Sequence, residues 1–354
     1  MLRDRYDPID LFKMVPSLSM QMDPILAQMD HLLDDDHLFQ AVKADLARRR
    51  PRTRITGRPS TPVEVVLRLL VVKHFYGWSY EQTEQFVADS LVLRPFCRVY
   101  AERVPDDTTL VRWAGLIQPQ TLHALLDHVV ELARQLKLTR GRKLRVDATV
   151  VETNIHHPSD STLLYDGVRV IGRLLTRAKQ VVHQAGRLPR ELFRNRTRSA
   201  KRQMKRIMQA ARQRGSKAEE KMLGAYARLV EVARRTAGQA QRVGQALQEE
   251  VHEASQKLAQ QVAELLPRLE QCIDQARRRV FAGEAVPASE KVVSLFEPHT
   301  AIIRKGKPGR PVQFGRVVWL CEVEGGLISR YRVLEGNPPE EAELVPSLAH
   351  HERL

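Results

Sequence analysis

The sequence predicts an α+β protein that is mainly α. Three observations carry this. Apolar residues recur at helical spacing through residues 60–137 and again through 222–280. Residues 143–152 form an apolar, β-branched run without Gly or Pro. Residues 314–323 and 327–334 alternate as strands about Glu324-Gly325-Gly326, a hairpin signal. A chain of 354 residues suggests two or three domains, and 43% hydrophobic content marks a folded one.

Residues 1–56 read as a lead-in with short helices. Asp34-Asp35-Asp36 reads as a solvated helix start, because adjacent residues do not share a helix face. Arg48-Arg49-Arg50-Pro51-Arg52 is either a solvated linker or a contact to a nucleic-acid backbone. Gly57-Arg58-Pro59-Ser60-Thr61-Pro62 is a turn that opens a helix, with Thr61 as N-cap and Pro62 at the first position. Gly77 closes that helix, and Ser79-Tyr80-Glu81-Gln82 is a capping box for the next, which runs to about Asp89. A short apolar segment follows at 91–99. Asp107 or Thr108 caps a helix ending near Gly115, and Pro119 starts a longer one through Leu136. Residues 57–137 are thus a bundle of short helices with tight turns: a scaffold, or a helix-turn-helix-like DNA-binding module.

Residues 143–152 read as a buried strand with one carboxylate, Asp147, in its middle. An ionised Asp in a buried strand is costly unless it is paired or bound to a metal. Asp147 therefore sits at a strand end or pairs with an Arg such as Arg145, or it is a metal ligand on a rigid strand. His156-His157 beside Asp160 make a poor zinc site, since adjacent residues of an extended chain point opposite ways. Asp160 or Ser161 caps the helix that follows.

Residues 187–217 hold twelve Lys or Arg against one acid, Glu191. The candidate contacts to DNA are Arg187, Arg190, Arg194, Arg196, Arg198, Lys201, Arg202, Lys205 and Arg206. Such a density of like charge repels itself without a counter-surface, so a polyanion partner is the reading. Apolar positions then step by 4, 4 and 3 from Val243 to Val280, an eleven-residue period that suits straight helix pairing. An antiparallel helical hairpin is expected, with Gly238 and Gly244 at the bend and Pro267 kinking or ending the second arm. From Ala285 strands are expected, with a turn at Pro308-Gly309-Arg310-Pro311, and residues 340–351 form a last helix.

The net charge is +15, which favours nucleic acid first and anionic membrane second as partner. No apolar run is long enough to span a bilayer, and the first 16 residues lack an apolar signal core. Cys97, Cys272 and Cys321 are odd in number and far apart, suiting neither a disulfide framework nor zinc. A cytoplasmic protein with reduced thiols is the expectation.

Several stretches together carry a resemblance. Gly57-Arg58-Pro59 through Phe75-Tyr76-Gly77-Trp78-Ser79-Tyr80, Leu93-Arg94-Pro95-Phe96-Cys97 and Val104-Pro105-Asp106-Asp107-Thr108-Thr109-Leu110 resemble the N-terminal helical domain of bacterial insertion-sequence transposases. Val146-Asp147-Ala148-Thr149-Val150-Val151-Glu152-Thr153-Asn154 is similar to their first catalytic strand. Gln313-Phe314-Gly315-Arg316-Val317-Val318 and Val333-Leu334-Glu335-Gly336-Asn337-Pro338 are similar to the next two strands. The combination resembles the ISNCY type across residues 57–350.

The resemblance implies a DDE-class transposase that binds terminal inverted repeats and target DNA as a homo-oligomer at the nucleoid. It implies a ribonuclease H-like domain with an Asp-Asp-Glu triad and two Mg²⁺ or Mn²⁺ ions, which activate the attacking oxygen and stabilise the leaving one. By match, Asp147 is the first carboxylate and a metal ligand. The expected layout is a lead-in at 1–56, the DNA-binding helical bundle at 57–137, and the start of the ribonuclease H-like domain at 138–182. A basic, coiled-coil-like helical-hairpin insertion at 183–284 interrupts that domain, and an incomplete β-hairpin continuation follows at 285–354. In such transposases the second Asp lies on a strand beyond the helix after Gly336-Asn337-Pro338, and the Glu lies later still. That helix ends here at His350-His351, so the expectation is a chain truncated before the second Asp and catalytically incomplete. The alternative is a non-catalytic DNA-binding remnant or regulator.

Overall fold

A computed structural model describes residues 22, 24–49, 60–183, 190–304 and 311–353. It is 62% helical with one small antiparallel sheet. The chain divides into two compact units, residues 1–140 with 324–329, and 141–323 with 330–354. The turns expected at 57–59 and 308–310, and most of the basic linker at 48–52, lie outside the described residues.

The described residues of the first unit form seven helices: α1 (Pro24–Leu33), α2 (Asp36–Ala47), α3 (Val63–Tyr76), α4 (Tyr80–Asp89), α5 (Leu93–Phe96), α6 (Asp107–Ala114) and α7 (Pro119–Gln135). Helix α3 is its axis because it is apolar nearly all round. Val65, Leu69 and Val72 face one core with Phe96 and Leu110, while Val63, Val66 and Leu70 face another with Phe39, Leu46 and Trp113. Arg68, in the middle of α3, is fully buried. Its guanidinium pairs with Asp30 and with Asp34 at 2.7 Å, and donates to the Phe96 carbonyl at 3.1 Å.

Local signals placed most of these ends. Asp35 caps α2, accepting from the Leu38 N–H at 3.0 Å. Gly77 ends α3 with φ +68°, and Ser79 and Gln82 form both bonds of the capping box. Two caps differ from expectation. Pro62, not Thr61, is the N-cap of α3, and it offers no side-chain acceptor. Asp106, not Asp107 or Thr108, caps α6 through the Thr109 N–H. The start of α7 is capped from a distance: Asp45 of α2 accepts from the Gln118 N–H at 2.8 Å and the Thr121 hydroxyl at 2.6 Å.

The second unit joins a sheet to a helical body. Strand β1 (Leu144–Glu152) pairs antiparallel with β3 (Gln313–Val323). Strand β3 also pairs with the short β2 (Ala301–Ile303) and with β4 (Leu327–Val333). Strand β1 therefore lies at the sheet's edge. Gly325 and Gly326 make the β3–β4 turn with φ +86° and +78°, a conformation that disfavours any Cβ. Helix α12 (Glu341–His351) covers one face: the Trp319 indole N–H donates to Ser347 Oγ at 2.9 Å, and Arg332 pairs with Glu343 at 3.0 Å.

Four helices share the unit's larger core: α8 (Asp160–His183), α9 (Thr197–Ala210), α10 (Ser216–Gln248) and α11 (Glu253–Ala276). Helix α8 starts at Asp160 itself, so the hydroxyl of Ser159, one residue earlier, accepts from the Thr162 N–H. Helices α10 and α11 form the hairpin, but the bend is not at Gly238 or Gly244, which lie within α10. The turn falls at residues 249–252, where His252 accepts from the Ala254 N–H. Gly244 serves packing instead, because Val262 of α11 stands 3.1 Å from where a Cβ would be. The expected stripe is buried at Val243, Leu247, Leu258, Val262, Leu269 and Ile273, whereas Val251 is 96% exposed in the turn. Pro267 does not end α11, which runs through it to Ala276. It sits on the exposed face, so the carbonyl it leaves unpaired one turn back faces water.

Candidate nucleic-acid interface

Helix α9 is built as a strip with two opposite faces. Ala200, Gln203, Ile207 and Ala210, spaced 3, 4 and 3, are buried against α8 and α10. Arg198, Lys201, Arg202, Lys205 and Arg206 occupy the other positions and are all exposed. Its start is held firmly. Asn195 Oδ1 accepts from the Thr197 N–H at 2.9 Å. Gly172 of α8 lets Thr197 and Asn195 come within 3.2 and 3.3 Å of where a Cβ would stand. The preceding 3-10 turn, Arg190–Phe193, is tied to α10, whose Gln239 side chain donates to the Glu191 carbonyl at 2.8 Å. The cations thus sit on an anchored element rather than a loose run.

Helix α10 supplies a second wall. Between it and α9 lies a groove of ≈ 900 Å³ lined by seven arginines and one acid. Arg228 and Arg235, seven apart on α10, face the α9 row, and Glu231 between them is bonded to Arg235 at 2.6 Å. A second hollow of ≈ 740 Å³ shares Gln203, Arg206 and Arg228 with the first and adds Lys217 and Lys221, so the trough is continuous. Among the described residues, Arg194, Arg198, Arg202, Arg206 and Arg228 have no acidic partner. A trough of this charge attracts oxyanions, and Arg presents a planar fork that matches phosphate.

Of the nine basic residues expected from sequence, seven therefore fall on or beside α9. Arg187 lies outside the described residues, and Arg190 is in the 3-10 turn with its side chain undescribed. Arg228 and Arg235 were missed because they stand outside the dense run. Their signal was the seven-residue spacing, which puts them on one face of a helix.

Asp147 is placed differently from the expectation of a buried carboxylate. Ala148 is buried while Asp147 is exposed, opposite Leu320 of β3. Water therefore removes the desolvation cost that a buried carboxylate would carry. Its Oδ1 accepts from the Ala148 N–H at 2.8 Å. It is not paired with Arg145, whose partner is Glu322 at 3.8 Å. Asp147 is rigidly presented, in the middle of an edge strand. Two divalent ions need carboxylates from several elements. Among the described residues no group of three His, Cys, Asp or Glu comes together, so they do not fit such a pair of ions and no step through a metal follows from them.

The thiols offer no rival chemistry. Cys97, Cys272 and Cys321 are buried and in no disulfide, and burial pushes the Cys272 thiol up to about 12. A protonated buried thiol is a poor nucleophile. Among the described residues no helix is long and apolar enough to cross a membrane.

Comparison with known families gives one match. Residues 9–115 match a family model described as a transposase domain, DUF772. No curated protein and no solved structure matches the chain. The match suggests a transposase, a DNA-modifying enzyme in general, and so an interaction with DNA.

Proposed function

We propose that this protein is a DNA transposase of the DDE class that binds the terminal inverted repeats of its element and target DNA as a homo-oligomer. The observation that carries this reading is the row of cations on α9 and α10, most of them without an acidic partner among the described residues, in a chain whose residues 9–115 match a transposase domain. The trough between the two helices is the DNA backbone contact. Arg198, Arg202 and Arg206 form one wall, Arg228 and Arg235 the other. Phosphate contacts of this kind fix position and orientation on the duplex but carry no sequence information. The helices of residues 9–115 then read the sequence of the repeats.

Asp147 takes the first catalytic position in this reading. Its support is the open face of β1 and the antiparallel β1–β3–β4 arrangement, which suit the opening strands of a ribonuclease H-like sheet. The resemblance implies Mg²⁺ or Mn²⁺, toward which Asp147 would be one ligand. Among the described residues no other carboxylate joins Asp147, so on this reading the chain binds DNA and does not cut it unaided. That lone carboxylate also favours a second reading, a DNA-binding regulator of transposition without chemistry of its own.

The test is binding. Anisotropy of labelled duplexes carrying the element's inverted repeats, set against scrambled duplexes of equal length, is expected to show tighter binding to the repeats. Equal, salt-insensitive or absent binding would sink the reading.

A further inference from the structure

Helix α7 carries two apolar faces, and one of them is open. Val130 and Ala133 lie on the first and are buried. Leu122, Leu125, Val129, Leu132 and the C-cap Leu136 make the second, with steps of 3, 4, 3 and 4. That alternation is the spacing of the seam between two paired helices. The seam is nonetheless wet. Leu122, Val129 and Leu136 are 45%, 47% and 64% exposed, and Leu125 and Leu132 are half-buried. Single exposed leucines are ordinary, whereas five apolar side chains in register along four turns mark a contact surface.

Charge decides what covers it. The fully charged residues of α7 are Asp127, Glu131 and Arg134, spaced by 4 and 3. They are exposed on the opposite face of the helix. His128, at the margin of the seam, is held by Asp35 of α2 at 3.2 Å. A nucleic-acid backbone needs donors for its phosphates, and leucine and valine side chains offer none. An anionic bilayer favours an apolar face backed by many cations, and α7 has one, Arg134. A second copy of the chain meets neither objection. With a net charge of +15, two copies repel each other over much of their surface, and a neutral seam lets them approach without that cost. The same stripe on both copies is self-complementary about a two-fold axis. Val129 between Leu125 and Leu132 is the alternation of β-branched residue and leucine that favours two helices over three or four.

We propose that α7 pairs with α7 of a second copy of this chain through the seam from Leu122 to Leu136. The proposal rests on the homo-oligomer of the proposed function and names the face that makes it. A seam this short gives a dimer that dissociates on dilution. Two copies held on one DNA molecule raise each other's effective concentration, so the same contact is fuller there. The contact uses no cation, so the α9–α10 trough of each copy stays open to DNA.

The experiment uses the full chain without DNA. Sedimentation velocity over a wide range of concentration is expected to show wild type passing from monomer to dimer. Leu122→Gln combined with Val129→Gln is expected to move that transition to a concentration higher by about tenfold or more, since four apolar side chains leave the seam of each dimer. The thermal midpoint of the dilute variant is expected to match wild type, because both side chains are nearly half exposed. A wild type that stays monomeric throughout would overturn the pairing, and so would a dimer whose transition the double substitution leaves in place. A lower midpoint in the dilute variant would show the seam covered within its own chain, which also overturns it. A second measurement serves if the variant does not fold. Cys97, Cys272 and Cys321 are buried, so a short bis-maleimide reports on introduced thiols alone. Val129→Cys is expected to link two copies and Glu131→Cys, on the far face, to link none; linking by both or by neither would count against the seam. Dimers that do not bind duplex in the anisotropy assay would keep the pairing and sink the DNA reading. Duplex binding by a chain that never pairs would do the reverse.

Discussion

Gly315 shows how one residue sets the geometry around Asp147. It lies in β3 opposite Glu152 of β1 and opposite Ala301 of β2. A Cβ built there would come 2.1 Å from the Val151 carbonyl oxygen and 2.9 Å from Glu152 Cα. Both are backbone atoms, so no side chain can yield. Gly315→Ala is expected to push β1 off β3 and destabilise the chain by about 2 kcal/mol, the usual scale for overpacking. A urea titration read by circular dichroism checks this, and an unchanged midpoint would mean that the strands have room to separate. Asp35 makes a second residue-scale case. The Leu38 N–H bonded to its carboxylate, more than the nearby His128, holds its pKa below the ordinary 3.8. Asp35→Ala is expected to cost about 1 kcal/mol at neutral pH, the usual value of a helix cap. A carboxyl depressed by folding contributes fully above its unfolded value and loses the contribution as pH falls through the folded one. The gap between wild type and Asp35→Ala should therefore be constant from neutral pH down to about 4 and close below it. A gap that persists in strong acid would show that the carboxylate is not the cap.

At the scale of elements, the α10–α11 hairpin is the clearest outcome of sequence pattern. Leu258 is 8% exposed and belongs to the core shared by α8, α9, α10 and α11. Leu258→Asp places an unpaired charge in that seam and is expected to cost about 3 kcal/mol or more. A thermal melt of the full chain, followed by far-ultraviolet circular dichroism, checks it; an unaltered melt would put Leu258 outside any buried seam. What could be read in advance followed from how local each signal is. The capping box at Ser79, the Gly77 stop and the Gly325-Gly326 turn depend on a few adjacent residues, and all three stand as expected. The hairpin bend was misplaced because a glycine can mark a break or a close helix contact, and only the partner helix, through Val262 against Gly244, tells which. The exposure of Asp147 was legible but overlooked. Leu144, Val146, Ala148 and Val150 alternate with Arg145, Asp147 and Thr149, the pattern of a half-buried strand. Strand β2 has three residues and gave no pattern to find. The second wall of the basic trough is made by residues some thirty positions downstream of the first, and only the folded α9–α10 pair brings them together.

Across the whole molecule, binding and chemistry make different demands on the chain, and the difference is testable. Binding a polyanion needs many replaceable cations, and a net charge of +15 with a trough of arginines meets that need. In-line displacement at phosphorus needs a small number of carboxylates at fixed positions, because each ion must be held while leaving room for substrate oxygens. Asp147 meets one such requirement from an edge strand. Glu152 cannot meet the next: it is an odd number of residues along the same strand and so points to the other face, and Gln313 donates to it at 3.0 Å. Asp160 is committed too, since it accepts from Gln275 and Arg279, each at 2.8 Å. The expected outcome is a chain that retains duplex DNA in a gel shift yet gives no nicked product with Mg²⁺ or Mn²⁺, in the wild type and Asp147→Ala alike. Nicking by the wild type that vanishes in Asp147→Ala would overturn this expectation and require that the missing carboxylates reach Asp147 in the assembly on DNA. Nicking that survives the substitution would instead remove Asp147 from the chemistry and, with it, the DDE reading of β1.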